Sequence, residues 1–219
     1  KNRRIIQVPM LRGDSGWQMD LSGIREALQN GGGLVLLCNP HNPIGKVYTR
    51  QELQSLSEVV QEQGARVFSD EIHSSLVFEG AHVPYASLSP ETAAHAITAT
   101  SATKAFNMPG LKCAQLVFSN PADLALWRDK GFFIGHGAST PGKLATIAAY
   151  NSGEPWRQQV LGYLRDNRDL LTELLEEHLP RVFWLPPEGT YLGWLDARAL
   201  GHGERTAEFF LSQARVALV

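Results

Sequence analysis

Three polar side chains of different chemistry each follow a run of β-like sequence. Asn42 carries an amide, Asp70 a carboxylate and Lys104 a primary amine. The runs that precede them are residues 34–38, 66–69 and 95–100. Because ligands of open α/β sheets bind outside the carboxyl ends of the strands, we expect the three side chains to converge on one crevice. There the amine could bond covalently to a carbonyl carbon, while the carboxylate holds a protonated nitrogen and the amide donates to an oxygen.

Pyridoxal phosphate (PLP) is a cofactor whose requirements this trio matches. PLP needs a lysine for covalent attachment, a carboxylate at its pyridine nitrogen, donors to its phenolic oxygen, and hydroxyls and a cation for its phosphate. Lys104, Asp70 and Asn42 can fill the first three roles. Taken singly, each has an ordinary alternative: a surface lysine, a turn or N-cap carboxylate, and a plain Asn-Pro turn. Their combination favours a PLP site.

The elements that must position these residues alternate between strand and helix. Predicted strands cover residues 5–8, 34–38, 66–69, 95–100 and 115–119, and predicted helices cover 20–30, 49–64 and 121–130. The second of these helices begins with the capping-box sequence Thr49-Arg-Gln-Glu52. Alternation of this kind predicts an α/β fold with a mostly parallel sheet, helices on its faces and right-handed crossovers.

The pattern changes after about Gly153. A long amphipathic helix is predicted over residues 154–178, then a strand over 190–195, a helix over 204–214 and a strand from Val216. We therefore expect a PLP-binding large domain over residues 1–152, with its N-terminal part missing, and the start of a smaller, truncated C-terminal α/β domain over 153–219. An apolar run at the last residues, with nothing to pair it, also makes the chain look cut.

Composition narrows the classes of function. The chain has 219 residues and a net charge of −2, so no basic stripe indicates nucleic-acid binding. Its apolar runs are strand-sized, too short to cross a membrane, and no secretory leader is visible, so we expect a cytoplasmic protein. Cys38 and Cys113 fit buried core positions better than a disulfide, and the histidines show no metal-ligand spacing.

Three motifs resemble those of fold-type I PLP enzymes of the aminotransferase superfamily. They are Asn42-Pro43-Ile44-Gly45, Asp70-Glu71-Ile72-His73 and Ser101-Ala102-Thr103-Lys104, with a further cation at Lys112. The resemblance implies a three-layer αβα, PLP-dependent-transferase-like large domain. It implies PLP bound covalently by Lys104, with Asp70 at the pyridine nitrogen and Asn42 at the phenolic oxygen. Ser101 and Lys112 would hold the phosphate, with Thr103 as a further candidate.

A closer resemblance is to cystathionine β-lyases of the MalY/PatB type. It is carried by His73, which stands where aminotransferases usually have tyrosine, and by residues 39–45, 104–107 and 188–191. By this resemblance His73 reaches the phenolic oxygen of PLP. The implied reaction is a β-elimination on cysteine S-conjugates: Lys104 takes the Cα proton, the thiolate leaves from Cβ, and pyruvate and ammonia follow. Cystathionine would give homocysteine, which suggests a role in methionine biosynthesis.

Two other functions stay open from the sequence. One is a class I/II aminotransferase on the same scaffold, and the other is a regulatory or interaction module with a PLP-enzyme fold. The retained Lys104, Asp70 and Asn42 argue against the module, because binding alone would not need that trio. The resemblance further implies a homodimer acting on a small amino-acid substrate. It also places a glycine-rich phosphate loop before residue 1 and a carboxylate-binding arginine after residue 219, so this stretch alone would form a partial pocket.

Overall fold

The structure, a computed structural model, describes residues 3–13 and 16–218. Its strands are β1 (Leu11–Gly13), β2 (Gly16–Gln18), β3 (Leu34–Cys38), β4 (Arg66–Asp70), β5 (Ala96–Thr100), β6 (Gln115–Phe118), β7 (Phe183–Trp184) and β8 (Leu195–Asp196). Its α-helices are α1 (Leu21–Gln29), α2 (Arg50–Glu62), α3 (Pro90–His95), α4 (Ala102–Ala105), α5 (Pro121–Lys130), α6 (Phe132–Gly135), α7 (Thr140–Ser152), α8 (Glu154–His178) and α9 (Thr206–Phe209). Within the described residues, no helix is both long enough and apolar enough to cross a bilayer.

The central sheet has the strand order β3-β4-β5-β6. Strands β3, β4 and β5 run parallel, which confirms the predicted α/β class with a mostly parallel sheet. Strand β6 is antiparallel to β5, so it departs from the parallel pattern. The connection between them, residues 101–114, holds only one turn of α-helix and one 3-10 turn, and not the full helix that usually carries the crossover between parallel strands.

Helix α2 shows how local sequence builds this layer. The Thr49 hydroxyl accepts from the Glu52 N–H at 3.2 Å, and the Glu52 carboxylate accepts from the Thr49 N–H at 2.8 Å. This reciprocal pair is the predicted capping box, and it starts the helix one residue after Thr49. The buried face of α2 then packs against the sheet through Leu53, Leu56, Val59 and Val60.

Several predicted elements differ from the observed ones. Residues 5–8 form no strand, and Ile5 is 82 % exposed. Of the predicted strand 190–195 only Leu195 lies in a strand, β8, and Thr190 has φ of +70°, outside the β region. The predicted helix 204–214 is divided into a 3-10 turn, α9 and a π-helical turn over Phe210–Ala214. Residues 216–218 form no strand, and Val219 lies outside the described residues.

Candidate active site

The carboxyl ends of β3, β4 and β5 lie level with one another. In the sheet register Cys38 pairs with Asp70, and Asp70 pairs with Ala99. The Asn39 N–H donates to the Asp70 carbonyl at 2.9 Å, and the Glu71 N–H donates to the Ala99 carbonyl at 2.8 Å. The three motif-bearing segments therefore leave the sheet at one edge, as expected for a site in an α/β fold.

Asp70 ends β4 with its carboxylate held in a fixed direction. One oxygen, Oδ1, accepts from the Ile72 N–H at 3.1 Å. The other oxygen, Oδ2, has no hydrogen-bond partner in the part of the chain that the structure describes. A half-buried carboxylate with one oxygen free and the other fixed is suited to a protonated ring nitrogen.

His73 is the most telling side chain of the edge. It is 2 % exposed, yet its Nδ1 finds no hydrogen-bond partner among the described residues. Its ring meets Tyr191 edge-on, with the centroids 5.5 Å apart. An unpaired buried polar atom costs about 1–3 kcal/mol, so the unpaired state of this nitrogen needs a physical reason. The phenolic oxygen of PLP is a partner that this nitrogen fits.

Lys104 lies in the single turn of α4, half-buried and close enough to influence His73. Burial lowers the pKa of His73 most, the charge of Lys104 lowers it further, and the carboxylate of Asp70 acts in the opposite direction. All three charged or titratable groups therefore share one electrostatic environment. The Lys104 amine makes no ion pair or hydrogen bond within residues 3–13 and 16–218, so it is not occupied by a structural partner.

Ser101 and Thr103 form a closed hydroxyl network at the start of α4. The Ser101 hydroxyl donates to the Cys113 carbonyl at 2.5 Å and accepts from the Thr103 N–H at 3.1 Å. Since the one proton of Ser101 goes to Cys113, the Thr103 hydroxyl, 2.8 Å away, is the donor to Ser101. Ser101 must therefore rotate to donate to a phosphate. The exposed Lys112 is brought to this end of α4 because it adjoins Cys113.

Asn42 is exposed in the turn that follows β3. Its backbone N–H donates to the Cys38 sulfur at 3.4 Å, which folds the turn back onto the end of the strand. No contact within the described residues joins the Asn42 side chain to Asp70, His73 or Lys104. The structure thus places Asn42 at the same sheet edge, whereas Asp70 and Lys104 both lie close enough to His73 for their charges to act on it.

A short segment, the strap (residues 187–191), ties two parts of this edge together. The N–H groups of Glu188 and Gly189 both donate to the Gly45 carbonyl at 3.0 Å, and the Glu188 carboxylate accepts from the Val47 N–H at 2.6 Å. Thr190 donates from its N–H to the Leu76 carbonyl at 2.7 Å. The strap therefore joins the Asn42 turn to the segment after His73. The sequence carried it only as part of a resemblance, without a structural role.

Replacing Gly45 with alanine is expected to destabilise the protein through this junction. Gly45 has φ of +68°, and an added Cβ would lie 2.8 Å from the Gly189 carbonyl oxygen. The left-handed backbone costs about 1–2 kcal/mol for alanine, and overlap with the strap adds about 1–3 kcal/mol. Gly64→Ala is the matched control, because Gly64 has φ of +58° with nothing within 4 Å. Urea unfolding should show the larger loss for Gly45→Ala, and equal losses would contradict the overlap.

One buried and two half-buried histidines make stability depend on pH. Burial lowers the pKa of His41, His73 and His95 below the ordinary value of 6.5, so the folded state disfavours their charged forms. As pH falls through 6.5 the unfolded chain binds more protons, and the free energy of unfolding decreases by at most about 1.4 kcal/mol per pH unit for each histidine. Stability is therefore retained above pH 6.5 and lost below it.

His73→Gln should reduce this pH slope. Urea unfolding of the protein without added PLP, at pH of about 7.5 and about 5.5, measures it across the range where histidine titrates. His178→Gln is the control, because His178 is 61 % exposed. An unchanged slope in His73→Gln would contradict the contribution of His73.

Sequence comparison relates this chain to known PLP-enzyme families. The model of the family "Aminotransferase class I and II" matches residues 2–217. A cystathionine β-lyase of Corynebacterium glutamicum is 37 % identical over 92 % of this chain and 54 % of its own length. The cystathionine β-lyase PatB of Bacillus subtilis is 34 % identical over 91 % of this chain and 52 % of its own.

Comparison with solved structures identifies a similar fold in a PLP-bound enzyme. The PLP-bound C-S lyase of Staphylococcus hominis has a TM-score of 0.88 and 32 % identity, covering 97 % of this chain and 55 % of that one. This likeness confirms the expected PLP-dependent-transferase-like fold. The chain spans about half the length of the curated relatives it matches.

Proposed function

Because this chain belongs to the aminotransferase class I and II family, we propose that it carries the PLP site of a carbon–sulfur β-lyase. The substrates are cysteine S-conjugates such as cystathionine, and the products are a thiol, pyruvate and ammonia. The observation that carries the proposal is the unpaired Nδ1 of buried His73, beside Lys104 and Asp70. The names of the relatives, cystathionine β-lyase and PatB, support the same reaction.

The residues divide the work by their chemistry. When bound, PLP withdraws electrons from the Cα of an amino acid joined to it, which permits loss of the Cα proton and of a leaving group on Cβ. Asp70 holds the proton on the ring nitrogen through its free oxygen. Lys104 would hold the cofactor covalently and, as a free amine, would accept the Cα proton as general base. His73 stabilises the phenolic oxygen from its buried Nδ1.

The groups that bind the phosphate, and the second donor to the phenolic oxygen, lie on three turns of the same sheet edge. Ser101 and Thr103 supply hydroxyls at the start of α4, and Lys112 supplies a positive charge from its left-handed turn. A lysine acts as a point charge without the fork of arginine, so it holds phosphate with less directional preference. Asn42 donates its amide toward the phenolic oxygen.

The larger organisation is proposed on the same basis. We assign residues 1–152 to the large PLP-binding domain and 153–219 to the start of the small domain. The separate buried cluster of Leu175, Val182 and Ala197 supports this division, since it does not include the residues that pack on the central sheet. A homodimer located in the cytoplasm completes the proposal, on the basis of the family resemblance.

An assay of product formation tests the reaction. The protein carrying this chain, loaded with PLP and given cystathionine alone, is expected to release pyruvate and a free thiol in equal amounts. The competing function is that of an aminotransferase, which the description of the matching family favours. Amino-group transfer to an added keto acid, with no release of pyruvate or thiol from cystathionine, would overturn the lyase and support the aminotransferase.

A further inference from the structure

A buried carboxylate stands next to Asp70 in the chain and takes no part in the chemistry proposed above. Glu71 is 4 % exposed. Its Oε1 accepts from the Ser69 hydroxyl at 2.9 Å and from the Tyr85 N–H at 3.0 Å, and its Oε2 lies 2.8 Å from His82 Nε2. Three donors from two separate segments therefore converge on one side chain.

The protonation of His82 follows from its surroundings. Its side chain is 9 % exposed, and its Nδ1 has no hydrogen-bond partner in the described part of the chain. A proton on Nδ1 would be buried and unpaired, whereas a proton on Nε2 is donated to the Glu71 carboxylate. His82 therefore donates from Nε2 to Glu71.

The peptide unit that joins Asp70 to Glu71 is held by hydrogen bonds from both neighbouring strand ends. The N–H of Glu71 is held by the Ala99 carbonyl, and the carbonyl of Asp70 accepts from Asn39. The Glu71 side chain adds an anchor to the segment holding His82 and Tyr85, which lies outside the sheet. Fixing residue 71 at its amide and its side chain sets the direction in which the Asp70 carboxylate leaves β4.

We propose that Glu71 and His82 form a positioning pair that orients Asp70 toward the ring nitrogen of bound PLP. The inference rests on the proposed function and adds to it a pair of residues that touch neither cofactor nor substrate. A purely structural role is the competing explanation. Buried ion pairs and carboxylate networks often add little net stability, whereas groups that orient a ligand affect its binding directly.

Substitutions at three positions separate the two roles. Glu71→Gln and His82→Ala remove the paired carboxylate or its donor, while His82→Gln keeps an N–H donor near the position of Nε2. Ser69→Ala removes only one of the three donors and serves if the larger changes prevent folding. Tyr85→Phe is the matched control, because it removes the bond from the Tyr85 hydroxyl to His95 and leaves the Tyr85 N–H on Glu71.

The readouts are PLP affinity by absorbance titration, the pH dependence of the visible band of bound PLP, and unfolding without PLP. We expect Glu71→Gln and His82→Ala to weaken PLP binding on the order of tenfold, the lower end of the loss seen when groups that orient metal-binding side chains are changed, and to shift the pH midpoint of the band. Ser69→Ala should do the same to a smaller extent, and His82→Gln should restore both properties. Tyr85→Phe should lower the unfolding midpoint alone.

The outcomes distinguish this inference from the function beneath it. Lower stability in Glu71→Gln, His82→Ala and Ser69→Ala, with unchanged PLP affinity and an unchanged pH midpoint, would overturn the positioning role and leave the PLP site intact. Altered PLP binding in an enzyme that releases no pyruvate would support the positioning role and overturn only the lyase. No binding of PLP by the unaltered protein would overturn both.

Discussion

Lys104→Ala is expected to abolish covalent attachment of PLP and to reduce β-elimination by at least about 10²–10⁴-fold, the range for loss of a general base. Lys104 is half-buried in α4, and its charge acts on His73. The unaltered protein mixed with PLP should show the visible absorption band of an imine between lysine and PLP. Borohydride should reduce this imine, remove the band and leave the cofactor stably bonded to the protein. In Lys104→Ala the band of lysine-bound PLP should be absent, and reduction should leave no cofactor on the protein.

Lys143→Ala is the control for this experiment, since Lys143 is an exposed lysine on α7. It should retain the band, the borohydride trapping and the activity. Mass analysis of the reduced, digested protein would identify the attached lysine directly. Cofactor trapped on a lysine other than Lys104 would show that the assignment of the nucleophile is wrong.

Asp70→Asn is expected to produce the second large loss, about 10²–10⁴-fold in elimination. The substitution preserves the shape of the side chain and can keep the acceptor for the Ile72 N–H, but it removes the charge that we propose holds the ring nitrogen. Breaking a buried charge pair by removing one partner costs about 3–5 kcal/mol, which corresponds to this range of rates. Because the expected loss of activity comes from the missing charge alone, PLP should still attach to Lys104 in Asp70→Asn.

The measurement therefore combines turnover of cystathionine with borohydride trapping. Asp70→Asn should lose turnover of cystathionine and retain borohydride trapping, whereas Lys104→Ala should lose both. Asp129→Asn is the control, because Asp129 is an exposed carboxylate on α5, and it should retain both turnover and trapping. Turnover within a few-fold of the unaltered protein would mean that Asp70 does not hold the ring nitrogen.

The parts of the fold that the sequence predicts correctly are those determined by short stretches. The apolar run of β3 and the Thr49–Glu52 capping box each contain their own physical cause, and both elements form where predicted. The apolar run also predicts a strand covered on both faces, which is wrong, because Leu36 is 73 % exposed. The convergence of three strand ends also follows from local patterns, because parallel strands bring their carboxyl ends to one edge. The antiparallel direction of β6 does not follow from local patterns, since it depends on the path of the connection between α4 and the sheet.

The features that the sequence could not predict depend on contacts between distant residues. The left-handed conformation of Thr190, a β-branched residue, is sustained by its bond to Leu76 more than a hundred positions away. The pairing of Glu71 with His82 likewise has no spacing signature. The unpaired Nδ1 of His73 becomes visible only when its surroundings are known. Motif spacing indicated which residues could act, and the structure adds what holds them.

The strap has a consequence for how the site can open. Its amides are bonded on one side to Gly45 and on the other to Leu76, so the strap connects the Asn42 turn to the segment after His73 through three backbone hydrogen bonds. Local opening of a protein proceeds in cooperative units that share their hydrogen bonds. We therefore expect the amides of Glu188, Gly189 and Thr190 to open as one unit, with similar hydrogen-exchange rates at all three.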